Sequence, residues 1–216
     1  VLFRSALDAL IAAIDARPVP TSGSRIPVTQ GVLFTAIAQA MYSDTLWPQL
    51  AAGLASAAGG DGAGLLSLYD EYYQRQPDGT YGNELEAFIA ISCLDDPGPV
   101  GVEAADAVVP QFARAARRFG PSFAYGYSCA LWPVPQARRV TITGAGAGPV
   151  VVVGTTGDAA TPLSSSRKAA ATLEEGILLV VDAARHTGYG ENQCIVDLVD
   201  SYLIDLDVPE DETTCR

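Results

Sequence analysis

No apolar run in this sequence approaches the ~20 residues that a membrane-spanning helix needs. The longest, around Val150, is broken by Gly154 and Gly157. Basic residues are scarce: 13 Lys and Arg stand against 25 Asp and Glu, for a net charge of −12. Nucleic-acid binding rests largely on Lys and Arg that neutralise phosphates, so no nucleic-acid partner is expected. The densest basic clusters are the dipeptides Arg117-Arg118 and Arg138-Arg139. The plain reading of the acidity is solubility. Histidine is scarcer still, with His186 the single example. The four cysteines form no Cys-x-x-Cys pair, so no zinc site or thioredoxin-like motif is assigned and no metal is expected. The Gly144–Gly148 stretch lacks the strand–loop–helix setting and the Lys of a phosphate-binding motif, and no organic cofactor is implied. No internal repeat is evident.

What is present suits a folded chain. The sequence is 49% apolar and 18% charged, and its 216 residues fit one domain, or a small domain plus part of another. Val1-Leu2-Phe3-Arg4-Ser5 has no initiator methionine and matches one reading frame of a common sequencing adapter, so residues 1–5 are read as an artefact. Leu7, Leu10, Ile11 and Ile14 recur at helical spacing over residues 6–17. Further helices are predicted over 29–42, over 45–58 with Ser43-Asp44 as its cap, over 65–74, and over 102–119 up to Gly120-Pro121. Residues 84–93 are an ambiguous apolar run, helix or short strand. The Pro- and Gly-containing stretch 121–148 reads as mostly loop.

The pattern then changes. Val150-Val151-Val152-Val153 and Ile177-Leu178-Leu179-Val180-Val181 are continuous apolar runs, as in a parallel sheet covered on both faces, with a helix between them and another after. Residues 6–125 are therefore read as helical, 126–148 as a connection, and 149–216 as α/β. Two short strands do not make a stable sheet alone. The chain is accordingly expected to be the later part of a longer α/β protein.

The chemistry gathers after the two strands. Gly157-Asp158-Ala159-Ala160-Thr161-Pro162 follows the first, and Arg185-His186-Thr187-Gly188-Tyr189-Gly190 follows the second, with His186 28 residues beyond Asp158. An acid there can fix a histidine's tautomer, and the histidine can take a nucleophile's proton and deliver it to a leaving group. Loops at the carboxyl ends of parallel strands are where a rigid sheet presents such groups. The order nucleophile, acid, histidine is that of α/β-hydrolases. Taken singly, Asp158 reads equally as a turn or helix cap and His186 as a surface loop residue. The pair, each member after its own strand, favours catalysis. Gly126-Tyr127-Ser128-Cys129-Ala130 imitates a nucleophile elbow, but no strand precedes Ser128 and prolines follow it. Ser128 is not assigned, and the serine is expected upstream of residue 1. The four cysteines permit two disulfides in any of three pairings, or four free thiols. Cys93 with Cys129 and Cys194 with Cys215 is the simplest pairing, and it would imply an oxidising compartment.

The combination of Gly157–Pro162, Arg185–Gly190, Cys194 and a terminal helix ending near Pro209 and Cys215 resembles the C-terminal domain of tripeptidyl-aminopeptidase-like serine peptidases. These are secreted α/β-hydrolases related to prolyl aminopeptidases. Trp47-Pro48-Gln49-Leu50-Ala51, Ala90-Ile91-Ser92-Cys93-Leu94-Asp95 and Cys129-Ala130-Leu131-Trp132-Pro133 resemble segments of that family's helical cap. The likeness runs over 40–216 and is strongest over 149–215. It implies a truncated α/β-hydrolase: a helical cap followed by the last strand–helix–strand–helix unit of a parallel sheet. It also implies release of short peptides from free amino termini, secretion or a cell-surface location of bacterial type, and the disulfide pairing above. An exopeptidase needs a carboxylate for the substrate ammonium. Asp95 is the candidate chosen, among Asp95, Asp96, Glu84 and Glu86, although solvated acids are the plainer reading. Tyr69, Tyr72 and Tyr73 are read as packing residues that could also line a pocket. Two other readings stand beside the peptidase: an esterase or other small-molecule hydrolase, and a non-catalytic binding module built on hydrolase parts.

Overall fold

The computed structural model describes residues 2–95, 98–124, 127–135 and 140–216, with residues 2 and 3 as backbone only. Its first layer is helical: α1 (Leu2–Ala16), α2 (Gln30–Ala40), α3 (Trp47–Ala58) and α4 (Ala63–Tyr72). Thr29 caps α2 by accepting the Val32 N–H, and Ser43 caps a short 3-10 turn, Asp44–Leu46, that leads into α3. Such side-chain oxygens satisfy the first N–H groups that a helix leaves unpaired. Ile14, Leu33, Leu65 and Leu68 are fully buried where these helices meet, with Val32, Phe34 and Leu50 around them.

The next segment contains α5 (Glu84–Asp95), α6 (Val102–Ala115) and two single turns, α7 (Gly120–Phe123) and α8 (Tyr127–Ala130). The ambiguous run at residues 84–93 is thus helical. The helix expected over 102–119 stops at Ala115. Phe119 packs edge-on against Phe34 at 5.2 Å, which requires the chain to leave the helix axis. Gly120 permits that return: a Cβ there would lie 2.0 Å from the Phe112 carbonyl oxygen. Cys93 of α5 is bonded to Cys129 of α8. Phe88 and Ile91 on α5 are 68% and 61% exposed, so this segment adds little to the apolar core.

The last unit is β1 (Val150–Thr155), α9 (Leu163–Thr172), β2 (Gly176–Val181), α10 (Gln193–Ile204) and β3 (Thr213–Cys215). The strands form one parallel sheet in the order β1-β2-β3, with Val153 opposite Leu179 and Val181 opposite Cys215. Side chains alternate along a strand. Leu179 and Val181 pack with Ile195 of α10, while Leu178 and Val180 pack with Ala170 of α9. That is why both strands read as unbroken apolar runs. The reading of only two strands is corrected by β3. Its three residues are too few to show a period, and it is held by partners distant in sequence: the Cys194–Cys215 disulfide to α10 and the Asp182 N–H donating to the Cys215 carbonyl. Both disulfides are those of the simplest pairing. Among the described residues no helix is long and apolar enough to cross a membrane.

Candidate active site

The loops after β1 and β2 run side by side because the strands are parallel neighbours. Buried Thr155 donates its hydroxyl to the Arg185 carbonyl at 2.6 Å. Thr156 donates its hydroxyl to Asp182 at 2.9 Å, and the Gly157 N–H donates to the Ala183 carbonyl at 2.9 Å. These links bring Asp158 and His186 together.

The Asp158 side chain is 5% exposed. Its Oδ1 accepts the N–H groups of Ala160 and Thr161, both at 2.8 Å, and its Oδ2 accepts the Thr161 hydroxyl at 2.8 Å. His186 Nδ1 lies 3.0 Å from Oδ2 and 3.2 Å from Oδ1. Burial pushes the Asp158 pKa up, but the bonds from Thr161, His186 and Ala160 outweigh it and hold the carboxyl below its ordinary range. An ionised carboxylate can only accept, so Nδ1 carries the hydrogen in this pair. In the neutral imidazole Nε2 is then the basic nitrogen. Thr161 Oγ1 stands 3.3 Å from Nδ1 with its own hydrogen committed to Asp158. Asp158 therefore caps its turn and bonds the histidine at once, through different lone pairs of one carboxylate.

The helical layer supplies the other wall. The Tyr42 ring meets the imidazole edge to face at 5.1 Å, and the Tyr42 carbonyl accepts the His186 N–H at 2.8 Å. Ser43 pairs with Arg185 in an isolated antiparallel bridge. The Arg185 guanidinium donates to Asp44 at 2.8 Å and pairs with Glu191. Thr187, directly after the histidine, has φ +72°, a conformation that costs a β-branched residue free energy and is kept by its surroundings. At Gly188 a Cβ would lie 2.7 Å from Val181 Cγ2 and 2.9 Å from Val153 Cγ1, so the loop lies directly on the strand ends.

From Tyr42 a series of edge-to-face rings continues through Tyr72 (6.2 Å) and Tyr73 (5.0 Å) to Tyr69 (4.7 Å). These rings pack together and also line an open cleft of about 680 Å³, with Tyr81, Phe88, Glu71, Glu84 and Glu86 on its other sides. Burial raises the phenol pKa of Tyr72 and of Tyr69, keeping both neutral at physiological pH. Of the acids considered for an ammonium, Glu84 and Glu86 face this cleft. Asp95 is exposed at the far end of α5 and does not line it, and Asp96 lies outside the described residues. Ser128 is exposed on a single helical turn, and among the described residues no strand precedes it and no bond joins it to His186; Gly126 lies outside the described residues. Sequence reasoning missed Tyr42, Asp44, Thr161, Arg185 and Glu191. Thr161 had a visible signal in its three-residue spacing from Asp158 and Arg185 adjoins His186, whereas Tyr42 and Asp44 meet the site only through tertiary packing.

Residues 115–215 match a family model described as TAP-like protein. Carboxylesterase B of Mycobacterium tuberculosis is 35% identical over 218 aligned residues, covering 96% of this chain and 41% of the relative. Serine protease Hip1 of the same species is 36% identical over 186 aligned residues, covering 82% of this chain and 35% of the relative. The chain thus spans 41% or less of the length of these curated relatives.

Proposed function

We propose that this chain, which belongs to the TAP-like α/β-hydrolases and forms a C-terminal part of that fold, carries the acid and the base of a serine-hydrolase triad. The observation that carries this reading is the His186 Nδ1–Asp158 bond at 3.0 Å, made by a carboxylate that three further donors hold in place. In that reading Asp158 fixes the imidazole tautomer and stabilises its protonated form. Nε2 takes the proton of a serine hydroxyl as the oxygen attacks the scissile carbonyl, then passes it to the leaving amine; water repeats the cycle on the acyl-enzyme. The serine comes from the longer protein, outside these 216 residues, and by themselves they should not turn over substrate.

The substrate we favour is a peptide with a free amino terminus, shortened by a few residues at a time. The cleft lined by Tyr42, whose ring packs against His186, supports this, because it presents Glu84 and Glu86 among aromatic faces, a setting that suits an ammonium group. The two disulfides support an extracytoplasmic location. A second reading, ester hydrolysis, is favoured by the name of one relative, carboxylesterase B, since fold and acid–base pair do not select the leaving group.

The test compares three substrates on the longer hydrolase that contains this chain: a tripeptide anilide with a free amino terminus, its N-acetylated form, and an aryl ester. The peptidase reading expects the first to be turned over fastest, with His186→Ala abolishing it. Retained activity in His186→Ala would remove the triad assignment. Equal rates on the acetylated anilide would remove the amino-terminal specificity, and rapid cleavage of the ester alone would favour the second reading.

A further inference from the structure

His186 belongs to the sheet unit by sequence, yet much of what holds it comes from the helical layer. Its backbone N–H is received by Tyr42, its ring lies against the Tyr42 ring, and its predecessor Arg185 is paired with Ser43. The Arg185 side chain closes the same seam. One terminal nitrogen donates to Asp44 Oδ1 at 2.8 Å, from the turn before α3; the other pairs with Glu191, five residues beyond the histidine. The Arg185 and Glu191 side chains are 26% and 19% exposed, against 44% for Asp44, so the arginine end of the cluster is partly withdrawn from water. A guanidinium holds its donors in a rigid fork and can serve two carboxylates at once; a lysine ammonium cannot copy that geometry. Both arms are anchored in defined backbone. Asp44 follows Ser43, the cap of its turn, and the Arg185 carbonyl is fixed by Thr155.

We propose that Arg185 is a positioning residue for His186, with the Asp44–Arg185–Glu191 cluster clamping residues 42–44 of the helical layer onto the histidine loop and thereby setting the imidazole. The proposal rests on the hydrolytic reading for its catalytic consequence. Proton transfer depends on near-attack geometry, and an ångström of misplacement costs on the order of 10²-fold. The strained backbone at Thr187 gives the loop a reason to relax once the clamp is opened. It follows that this stretch of the helical layer does not act as a lid moving independently of the histidine.

The test uses Asp44→Asn, Arg185→Gln and Arg185→Lys. Because His186 is the sole histidine, nitrogen-15 shifts of one imidazole report its tautomer directly in the 216-residue chain. The clamp predicts mixed tautomers and faster exchange of the Nδ1 proton in Asp44→Asn and Arg185→Gln, with Arg185→Lys in between. In the longer hydrolase the same order should appear in kcat, falling roughly 10- to 100-fold with KM within about twofold. Wild-type imidazole signals in folded Asp44→Asn, whatever happens to kcat, would overturn the proposal. Should Arg185→Gln fail to fold, Asp44→Asn decides the matter alone, since its side chain is the most exposed of the three. Failure of the hydrolytic reading shows separately, as activity surviving in His186→Ala, while the imidazole signals still test the clamp.

Discussion

In residues 2–73, four helices bury Ile14, Leu33, Leu65 and Leu68 completely, and neither disulfide lies in that core. In the sheet unit the fully buried aliphatic side chains are Leu179, Val181 and Ile195, and a disulfide ties the last strand to α10. The helical layer is held mainly by apolar area, while the sheet unit combines a smaller apolar core with cross-links and polar bonds. The polar chemistry sits on the second kind of structure, at strand ends where the imidazole stays within reach of solvent and the carboxylate is nearly buried, and leans on the first for a wall. The difference separates two jobs: a core that resists deformation, and a scaffold whose loops are set by directed bonds.

The comparison can be broken at several points. The largest effect is expected from Asp158→Asn in the longer hydrolase, which should lower kcat by roughly 10⁴-fold by releasing the imidazole tautomer. The helical core should be unaffected, as judged by its slowest-exchanging amides. Next comes Leu33→Ala or Leu68→Ala, which should cost about 2–5 kcal/mol in urea unfolding. Leu179→Ala belongs to the same class, and a cost as large as that of Leu33 would contradict a smaller core. Removing the Cys194–Cys215 bond, across 21 residues, should cost about 3 kcal/mol. Its loss should speed amide exchange in Leu178–Val181 and leave α2 and α4 protected. Gly188→Ala should cost about 1–3 kcal/mol, because its methyl meets Val181 and Val153.

The smallest effect is a pH dependence. A carboxyl held below its ordinary pKa contributes stability that is fully present above the unfolded value of about 3.9 and is lost as pH falls through the folded value. Wild type should therefore lose more stability than Asp158→Asn between neutral pH and about pH 3. Equal losses in denaturant midpoints would show that the bonds to Asp158 do not favour its ionised form.

Much of this was legible in the primary structure where the signal is local. The apolar runs at Val150 and Ile177, the turn residues after them, and the alternation of helix and strand placed Asp158 and His186 on neighbouring loops. Periodicity and cap signals also found α2, α3 and α4 to within a few residues. What escaped depends on contacts between distant segments. β3 is three residues long and exists through its pairing with β2 and its disulfide. Tyr42 and Asp44 lie some 140 residues before the loop they touch, and nothing in their own neighbourhood points to a histidine. Arg185, although next to His186, gave no sign of two acidic partners. The helix expected through Phe119 ended early because Phe34, eighty-five residues before it, draws that ring away.

The one-sided order of the sheet sets a rule for growth. β2 has neighbours on both sides, and β3 offers only Thr213–Cys215 along its outer rim. β1 presents a row of six residues, its other side already taken up by β2, between helices that occupy both faces. Among the described residues, a further strand of matching length therefore has one place to add, beside Val150–Thr155. Running parallel there, it would enter from the end opposite Asp158 and His186 and deliver its last residue on their side. Whatever a segment joined in this way carries at its carboxyl end arrives within the neighbourhood of the imidazole.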